Sequence, residues 1–327
     1  MPIIKDDKLI GYIFNKIYGF DCLDLATFSD KVREIRESVY KLKNSFKGEG
    51  TNVCYNESDI CKAYMLSYFP AHVRPAEDIM CQFIIDKLKF INTLNLTYFA
   101  AGADSEIYGT MRALANRNIC DNVNLQVFDI NKSWNEIHQI TFEICDKLIP
   151  INFFDFHADC DIMRPCQNCS GYNNCIKNIF SVTDIYFVQN YISHATSVNK
   201  FVNKLRHFIS HSKKDSLFVI IDLNYDIVKE AFERITDNKF LEENGVYLVK
   251  KYTPVEGEPI SAKMTFSIPP ILEKYIFTGE NFAFTAKRFM NYYYVILCKK
   301  TDSVKPNIKL NSIFERLKDK LNSIKNF

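Results

Sequence analysis

Hydrophobic residues near the start of the chain recur every three or four positions, which is the spacing of one face of an α-helix. The clearest series consists of Val32, Ile35, Val39, Leu42 and Phe46. The segment GEGTN at 48–52 interrupts it, and further helical segments follow over residues 58–88. Pro70 and Pro75 are expected to end helices there, because proline lacks an amide hydrogen and restricts the residue before it. We therefore predict a helical region over residues 1–85, which serves as a lid or as a surface for a substrate or partner.

From Leu94 onward, short apolar runs alternate with amphipathic stretches of helical period. The candidate strands are 94–100, 124–130, 151–156, 182–190 and 216–224. The stretches between most of them, such as 105–116 and 197–211, have apolar residues at helical spacing. Strands that alternate with helices are typical of βαβ units, so this part of the chain predicts a mostly parallel sheet.

The C-terminal part lacks long helical stretches between its apolar runs. Segments 245–252, 262–268 and 288–300 are strand-like, which indicates antiparallel strands added to the sheet edge. Ser312 and Glu315 form a capping box, so 304–327 is predicted to be a C-terminal helix. The predicted fold class is α/β, with a doubly wound, Rossmann-like sheet of seven strands over residues 86–303, an antiparallel closing strand and a helical N-terminal extension.

The segment FAAGADSEIYG, residues 99–109, joins the first predicted strand to the next helix. Small residues let backbone approach a ligand, and ligands of open parallel sheets bind at this edge, beside a helix N-terminus. An ordinary tight turn is the alternative interpretation. The segment resembles the first motif of class I S-adenosylmethionine-dependent methyltransferases, in which glycines alternate. Ala100, Gly102 and Asp104 fall on the three glycine positions.

Two departures from that motif carry consequences. Tyr98 stands where the motif has an acid, and we expect Asp104 or Glu106 to replace that acid. Ala100 costs little in place of glycine if its φ is negative. A carboxylate at Asp104 would either repel the carboxylate of the methyl donor or pair with its amino group.

Asp129 ends the second predicted strand, about twenty residues after the loop. A carboxylate offers two acceptor oxygens, so Asp129 is predicted to bind both ribose hydroxyls of a nucleoside, with capping of the next helix as the alternative. The resemblance further implies that Asp155 or Asp159, near the end of the third strand, contacts the adenine. By the same resemblance, three residues at the end of the fourth strand border the methyl-transfer site: Gln189, Asn190 and Tyr191.

Two segments narrow the resemblance. The sequence AYMLSYFPAHVRPAEDIM at 63–80 and the sequence RFMNYYYVILCKK at 288–300 are similar to the entry helix and closing strand of a ribosomal small-subunit assembly methyltransferase-like family. That similarity implies that Arg74 lies at the cofactor edge, where it can hold the methionine carboxylate, or else is an exposed arginine. It also makes RNA or a ribosomal partner an expectation. Basic residues beside the aromatic run at 292–294 suit RNA as well, with the alternative that these aromatics are strand core and the charges are its solvated ends.

A cysteine-rich insertion is predicted at 157–177. Its cysteines have the spacing C-x5-C-x2-C-x5-C and are Cys160, Cys166, Cys169 and Cys175. Four thiolates can hold a tetrahedral zinc ion or an iron–sulfur cluster. An insertion without metal is the alternative.

Composition narrows the class of protein. The chain has 327 residues, 47% of them apolar, eleven cysteines and a formal net charge of +2. The net charge carries no global signature of nucleic-acid binding, and no apolar run reaches the length of a membrane span. The odd cysteine count and the absence of a signal-peptide pattern indicate a soluble, cytoplasmic protein with reduced thiols.

These observations predict a methyltransferase that uses S-adenosylmethionine, with RNA, protein and small molecules all open as acceptors. The altered first motif leaves a catalytically silent binding or assembly module as an alternative. A nucleotide-cofactor oxidoreductase is a further alternative, against which the missing three-glycine fingerprint argues. The oligomeric state is not indicated by the sequence.

Overall fold

A computed structural model describes residues 4–46, 53–88, 91–157, 178–195, 197–277 and 286–300. Within this part of the chain, eight strands form one sheet. The strands are β1 (Ile91–Phe99), β2 (Cys120–Phe128), β3 (Ile151–His157), β4 (Ile185–Gln189), β5 (Leu217–Leu223), β6 (Val246–Tyr252), β7 (Ile260–Lys263) and β8 (Phe289–Lys299).

The order of the strands makes the sheet doubly wound. They lie as β3-β2-β1-β4-β5-β8-β6, with β7 paired to β8. β1 to β5 are parallel, and β8 runs antiparallel to β5, β6 and β7. Phe99 at the end of β1 lies opposite Phe128 of β2 and Val188 of β4. The carboxyl ends of β1, β2 and β4 therefore meet at the point where the strand order reverses.

Helices cover both faces of this sheet. They are α1 (Asp6–Tyr18), α2 (Leu25–Ser45), α3 (Ser58–Ser67), α4 (Phe69–Ile79), α5 (Ser105–Arg117), α6 (Asn135–Cys145), α7 (Val198–His211), α8 (Asp226–Thr236), α9 (Asn238–Glu243) and α10 (Pro270–Tyr275). Side chains of a strand alternate between its faces. Tyr98 accordingly packs on Phe187 in the core cluster that includes α1 to α6, while Phe99 packs on Phe208 in the cluster of α7 to α9.

The helical break ahead of the sheet differs from the one predicted from the prolines. α3 and α4 meet at Tyr68, and Pro70 lies in the first turn of α4, where its missing amide hydrogen has no intrahelical role. Pro75 does not end a helix: it lies inside α4, and helical backbone continues through a π-helical turn at Met80–Ile84. The fixed φ of proline lies in the helical range, so the helix can continue through Pro75. The missing amide hydrogen of Pro75 costs the helix one backbone hydrogen bond.

The predicted α/β, doubly wound fold with its antiparallel closing strand is confirmed, with eight strands in place of seven. The segment predicted as a strand over 262–268 contributes only its start, to the short β7, and α10 follows soon after it. The predicted C-terminal helix at 304–327 lies outside the described residues. The division into a region at 1–85 and a domain at 86–303 stays a prediction.

Candidate functional site

A cavity of about 290 Å³ opens where β1, β2 and β4 end, at the reversal of strand order. We call it the loop cavity. Its wall combines the loop after β1, the residues after β2 and the residues at the end of β4 with side chains from the N-terminal helical region. Its lining includes Ala100, Gly102, Glu106, Asp129, Gln189 and Asn190.

The loop after β1 has left-handed backbone at three alternate residues. The φ angles are 53° at Ala100, 52° at Gly102 and 58° at Asp104. These are the three positions that the sequence comparison placed on alternating glycines. Ala100 was expected to replace glycine at little cost if its φ were negative, and that condition is wrong. A left-handed alanine destabilises the folded protein by about 1–2 kcal/mol. Aspartate tolerates this conformation better than most residues do.

Asp129 holds the loop and faces the cavity at the same time. One of its carboxylate oxygens accepts a hydrogen bond from the Gly102 amide at 3.0 Å, and the other accepts one from the Asn131 amide at 2.9 Å. Burial raises the pKa of Asp129, although both amides favour its ionised form. The Asn131 side chain donates a third, longer hydrogen bond at 3.5 Å. A carboxylate accepts about four hydrogen bonds, so capacity for a ligand remains. No helix-capping contact of Asp129 is among the hydrogen bonds of the described residues.

Glu106, in the first turn of α5, is 2% exposed and lines the cavity. Its Oε2 accepts a hydrogen bond from Ser105 at 3.2 Å, whereas its buried Oε1 has no partner among the described residues. Burial raises the pKa of Glu106 well above its usual value. A buried oxygen without a hydrogen-bond partner destabilises the folded protein. Oε1 of Glu106 is therefore an available acceptor for a donor group of a ligand.

The end of β4 adds two amides to the wall. Gln189 donates from Nε2 to the carbonyl of His72 at 2.8 Å and to the hydroxyl of Ser105 at 3.3 Å. Asn190 has a φ of 56° and its Nδ2 lies 3.0 Å from Nδ1 of His72. In the described structure, both amide oxygens are buried without a hydrogen-bond partner. Tyr191 completes this part of the lining.

Asp104 does not reach the loop cavity. Its left-handed backbone directs the carboxylate beneath the loop, where both oxygens lie 2.7 Å from Nδ1 of His138. Both side chains are fully buried. Of the two acids expected to replace the one missing at Tyr98, only Glu106 lines the cavity.

Two other predicted cofactor residues also lie elsewhere. Arg74 pairs with Asp78 at 2.8 Å and Glu77 at 3.5 Å on α4 and is absent from the cavity lining. Asp155 lies 3.3 Å from Nε2 of His157 on the edge strand β3, also outside the lining. A strand at the edge ends too far from the reversal point to face it. Asp159 lies outside the described residues.

The aromatic side chains that line this site were not singled out from the sequence. Tyr55 and Tyr64 line the loop cavity, as does Trp134, whose ring centroid lies 5.6 Å from that of Tyr55. His72 is 2% exposed and burial lowers its pKa well below the usual value, which keeps its imidazole neutral. Only the tyrosine-rich composition of 55–68 was a signal, and aromatic residues at helical spacing are usually core.

A second cavity, of about 380 Å³, adjoins the first. It shares four lining residues with the loop cavity: Tyr64, His72, Asn190 and His194. Lys43 and Lys287 belong to its wall, together with aromatic side chains from Phe46, Tyr68 and Tyr225. Burial lowers the pKa of each of the two lysines to about 8.

The predicted metal site cannot be placed on this structure. Cys160, Cys166, Cys169 and Cys175 all lie outside the described residues. Within the ranges that are described, no three His, Cys, Asp or Glu side chains cluster as metal ligands would. The same ranges contain no helix that is both long and apolar enough to cross a membrane.

Comparison with known families and curated proteins gave no match. Several solved structures are similar in fold. A class I S-adenosylmethionine-dependent methyltransferase from Listeria monocytogenes has a TM-score of 0.47 and 10% identity, over 92% of this chain and 90% of that one. An N-methyltransferase from Bradyrhizobium japonicum, in complex with S-adenosyl-L-homocysteine, has a TM-score of 0.40 and 9% identity, over 81% and 99% of the two chains.

An rRNA methylase from Streptococcus thermophilus has a TM-score of 0.36 and 9% identity, over 69% of this chain and 95% of that one. All three are named as methyltransferases or methylases, and the Listeria protein bears the name of the superfamily that the sequence resembles. At such identities and TM-scores their names carry no argument about substrate or activity, and the function has to be argued from the site.

Proposed function

We propose that the loop cavity binds S-adenosylmethionine and that the protein transfers its methyl group to an acceptor. The observation that carries this proposal is the joint position of Asp129 and the left-handed loop. Asp129 anchors the Gly102 amide and still faces the cavity with unused acceptor capacity, at the reversal point of a doubly wound sheet. A nucleoside-type ligand binds at that point of such a sheet.

The charge of the cavity wall fits this cofactor. S-adenosylmethionine carries a sulfonium and an ammonium group, and the described lining contains the carboxylates of Glu106 and Asp129 without a lysine or arginine. The unpartnered oxygens of Glu106, Gln189 and Asn190 are acceptors for the donors that such a ligand brings. When bound, the cofactor supplies a methyl group on a positively charged sulfur, which is a good leaving group.

Each side chain has a distinct part in the proposal. Asp129 accepts hydrogen bonds from the ribose hydroxyls and keeps the loop in its left-handed form. Glu106 accepts a hydrogen bond from the ammonium group and so takes the role of the acid that Tyr98 replaces. Asn190 lines both cavities, Gln189 precedes it in the wall of the loop cavity, and the two orient the groups that react. Positioning of two reactants in this way is the main source of rate in a displacement reaction.

Isothermal titration calorimetry of the full chain with S-adenosylhomocysteine tests this assignment. The wild-type protein is expected to bind one ligand per chain, and Asp129→Ala to lose at least about tenfold in affinity, which corresponds to 1.4 kcal/mol. Asp226→Ala is the matched control, because that side chain is 98% exposed and remote from β2. Binding of NAD in place of S-adenosylhomocysteine would instead support the oxidoreductase alternative.

A silent binding module is the second candidate, and the left-handed Ala100 favours it. Ala100 stands with a positive φ where the first motif has a glycine, and Tyr98 stands where that motif has an acid, so two motif positions have departed from the pattern. This candidate predicts that S-adenosylhomocysteine binds but that no acceptor binds beside it. The two candidates therefore differ in the second cavity.

A further inference from the structure

The second cavity meets the loop cavity at side chains that both share. Tyr64, His72, Asn190 and His194 line the two of them, so a molecule in one lies beside a molecule in the other. Asn190 stands directly after β4, at the reversal point of the sheet. The volume of about 380 Å³ lies in the range of sites for small molecules, roughly 300–1,000 Å³.

The two cavities are lined by ionisable side chains of opposite kinds. Among described residues, the loop cavity is lined by Glu106 and Asp129 and by no lysine or arginine. The second cavity is lined by Lys43 and Lys287 and, again among described residues, by no carboxylate. Low-dielectric walls of one sign attract ligands of the other sign. The first cavity therefore suits a cation and the second an anion.

Among the described residues, no carboxylate supplies a counter-charge to Lys287. Its Nζ lies 3.3 Å from Nε2 of the neutral His72 and 5.7 Å from the centre of the Tyr68 ring. Within the described ranges, no carboxylate pairs with it, and its pKa falls to about 8 because burial is not offset by a negative neighbour. A half-buried cation without an anionic partner is energetically unfavourable, and an anionic ligand would supply that partner.

Aromatic rings form much of the remaining wall. The rings of Tyr64 and Tyr68 stack with centroids 4.8 Å apart, and Phe46 and Tyr225 also line the cavity. Aromatic faces of this kind pack well against a flat ring. The wall thus combines a surface for a planar group with a cation for an acidic group.

We infer that the second cavity binds the methyl acceptor, and that this acceptor is a small molecule with a flat ring and an anionic group held by Lys287. This inference rests on the proposed function of the loop cavity. A lone pair of the acceptor forms the bond to the methyl carbon, the methyl–sulfur bond breaks, and its electron pair stays on the sulfur. Any proton on the accepting atom passes to water. The anionic group is a carboxylate or a phosphate, which share the chemistry that Lys287 recognises.

Calorimetric binding of defined probes to the full chain, saturated with S-adenosylhomocysteine, tests the inference. The probes are benzoate, phenyl phosphate and the neutral benzamide, so the two anions separate the carboxylate from the phosphate. The better anion is expected to bind at least about tenfold more tightly than benzamide, because a partly buried ion pair contributes more than 1.4 kcal/mol.

Two substitutions assign that preference to one side chain. Lys287→Met keeps the length of the side chain and removes the charge, so it is expected to abolish the preference for anions. Lys287→Arg is expected to retain the preference, and Lys239→Met is a matched control because Lys239 is exposed on α9. S-adenosylhomocysteine is expected to bind all of these variants like the wild type, which shows that they fold.

The outcomes separate failure of this inference from failure of the proposed function. If S-adenosylhomocysteine does not bind the wild type, the proposed function fails. If it binds, and neither anion binds at about 10 mM, where a site of millimolar affinity is mostly occupied, the inference is overturned. Equal affinity for benzamide, or an anion preference that survives in Lys287→Met, also overturns it. A single-stranded RNA oligonucleotide that displaces the probe in a Lys287-dependent way would identify RNA as the occupant and overturn the small-molecule assignment.

Discussion

Glu106→Gln separates the charge of a buried carboxylate from its shape. Glutamine is nearly isosteric and still offers one acceptor oxygen, but it cannot become negative. In the free protein Glu106 is 2% exposed, its Oε1 lacks a partner among the described residues, and its pKa is raised well above the usual value. If the ammonium group of S-adenosylmethionine binds there, the ionised form of Glu106 is favoured and its pKa falls.

The magnitude follows from the hydrogen bond that is exchanged. Hydrogen bonds to charged groups contribute about 1.5–3 kcal/mol, so loss of the charge is expected to weaken binding of the cofactor by roughly 10- to 150-fold. The sign of the pH dependence is also fixed. Because binding lowers the pKa of Glu106, a proton is released in the window between the bound and the free pKa, and affinity rises with pH there.

The assay is calorimetric titration of wild type and Glu106→Gln with S-adenosylhomocysteine, which has the same ammonium group, in buffers of different ionisation enthalpy. The wild type is expected to release more protons on binding than the variant at each pH in the window. Comparison of the two cancels the contributions of Asp129 and of the ligand, and Glu242→Gln on exposed surface serves as the control. Equal affinity and equal proton release in wild type and Glu106→Gln would refute the assignment of Glu106 to the ammonium group.

Three further predictions concern stability. Ala100→Gly is expected to raise the free energy of unfolding by about 0.5–1 kcal/mol and the Tm by about 1–3 °C, since it relieves a left-handed alanine at the cost of chain entropy. Asp222, whose pKa burial raises to about 6, stabilises the fold most below its ordinary pKa of 3.8. That contribution, about 3 kcal/mol, is lost as the pH rises through about 6, and denaturant titrations are expected to show a flatter pH profile for Asp222→Asn. His138→Ala leaves the buried Asp104 carboxyl group without its hydrogen-bond partner and is expected to cost about 1–3 kcal/mol by the same titrations.

Each of these predictions has a control or a contradicting result. Ala115→Gly, inside α5, is expected to destabilise by about 1 kcal/mol, and a similar loss for Ala100→Gly would contradict the left-handed φ. An unchanged pH profile in Asp222→Asn would show that Asp222 does not titrate differently on folding. For His138, the comparison is Asp104→Asn, which is expected to cost less because the asparagine amide can still form a hydrogen bond with Nδ1 of His138.

The sheet could be predicted because its signals are local. Each of β1 to β5 is a short apolar run followed by helical spacing or a turn, and the strand order places their carboxyl ends together. For the same reason Asp129 and Gln189 could be placed at this edge of the sheet from the sequence, since both end such a run, while their roles stay predictions. Pro75 was misjudged because its fixed φ also fits a helix interior, and packing of α4 on the sheet outweighs one lost hydrogen bond.

The rest of the site depends on contacts between distant parts of the chain. His72 and Lys287 are 215 residues apart in sequence yet 3.3 Å apart in space, and no spacing rule connects them. Asp104 could not be assigned from composition, because its left-handed φ decides whether the carboxylate faces the cavity or His138. The cysteine insertion stays a prediction, as do the cytoplasmic location and a ribosomal partner.

A crystal structure of the chain grown with S-adenosylhomocysteine shows directly whether the loop cavity is the cofactor site. We expect the ligand in the loop cavity, with its ribose hydroxyls on the Asp129 carboxylate and its ammonium group on Glu106. We also expect the sulfur of the ligand to point toward Asn190 and the second cavity. Ligand bound elsewhere, or a loop cavity without ligand at a saturating concentration, would contradict this expectation.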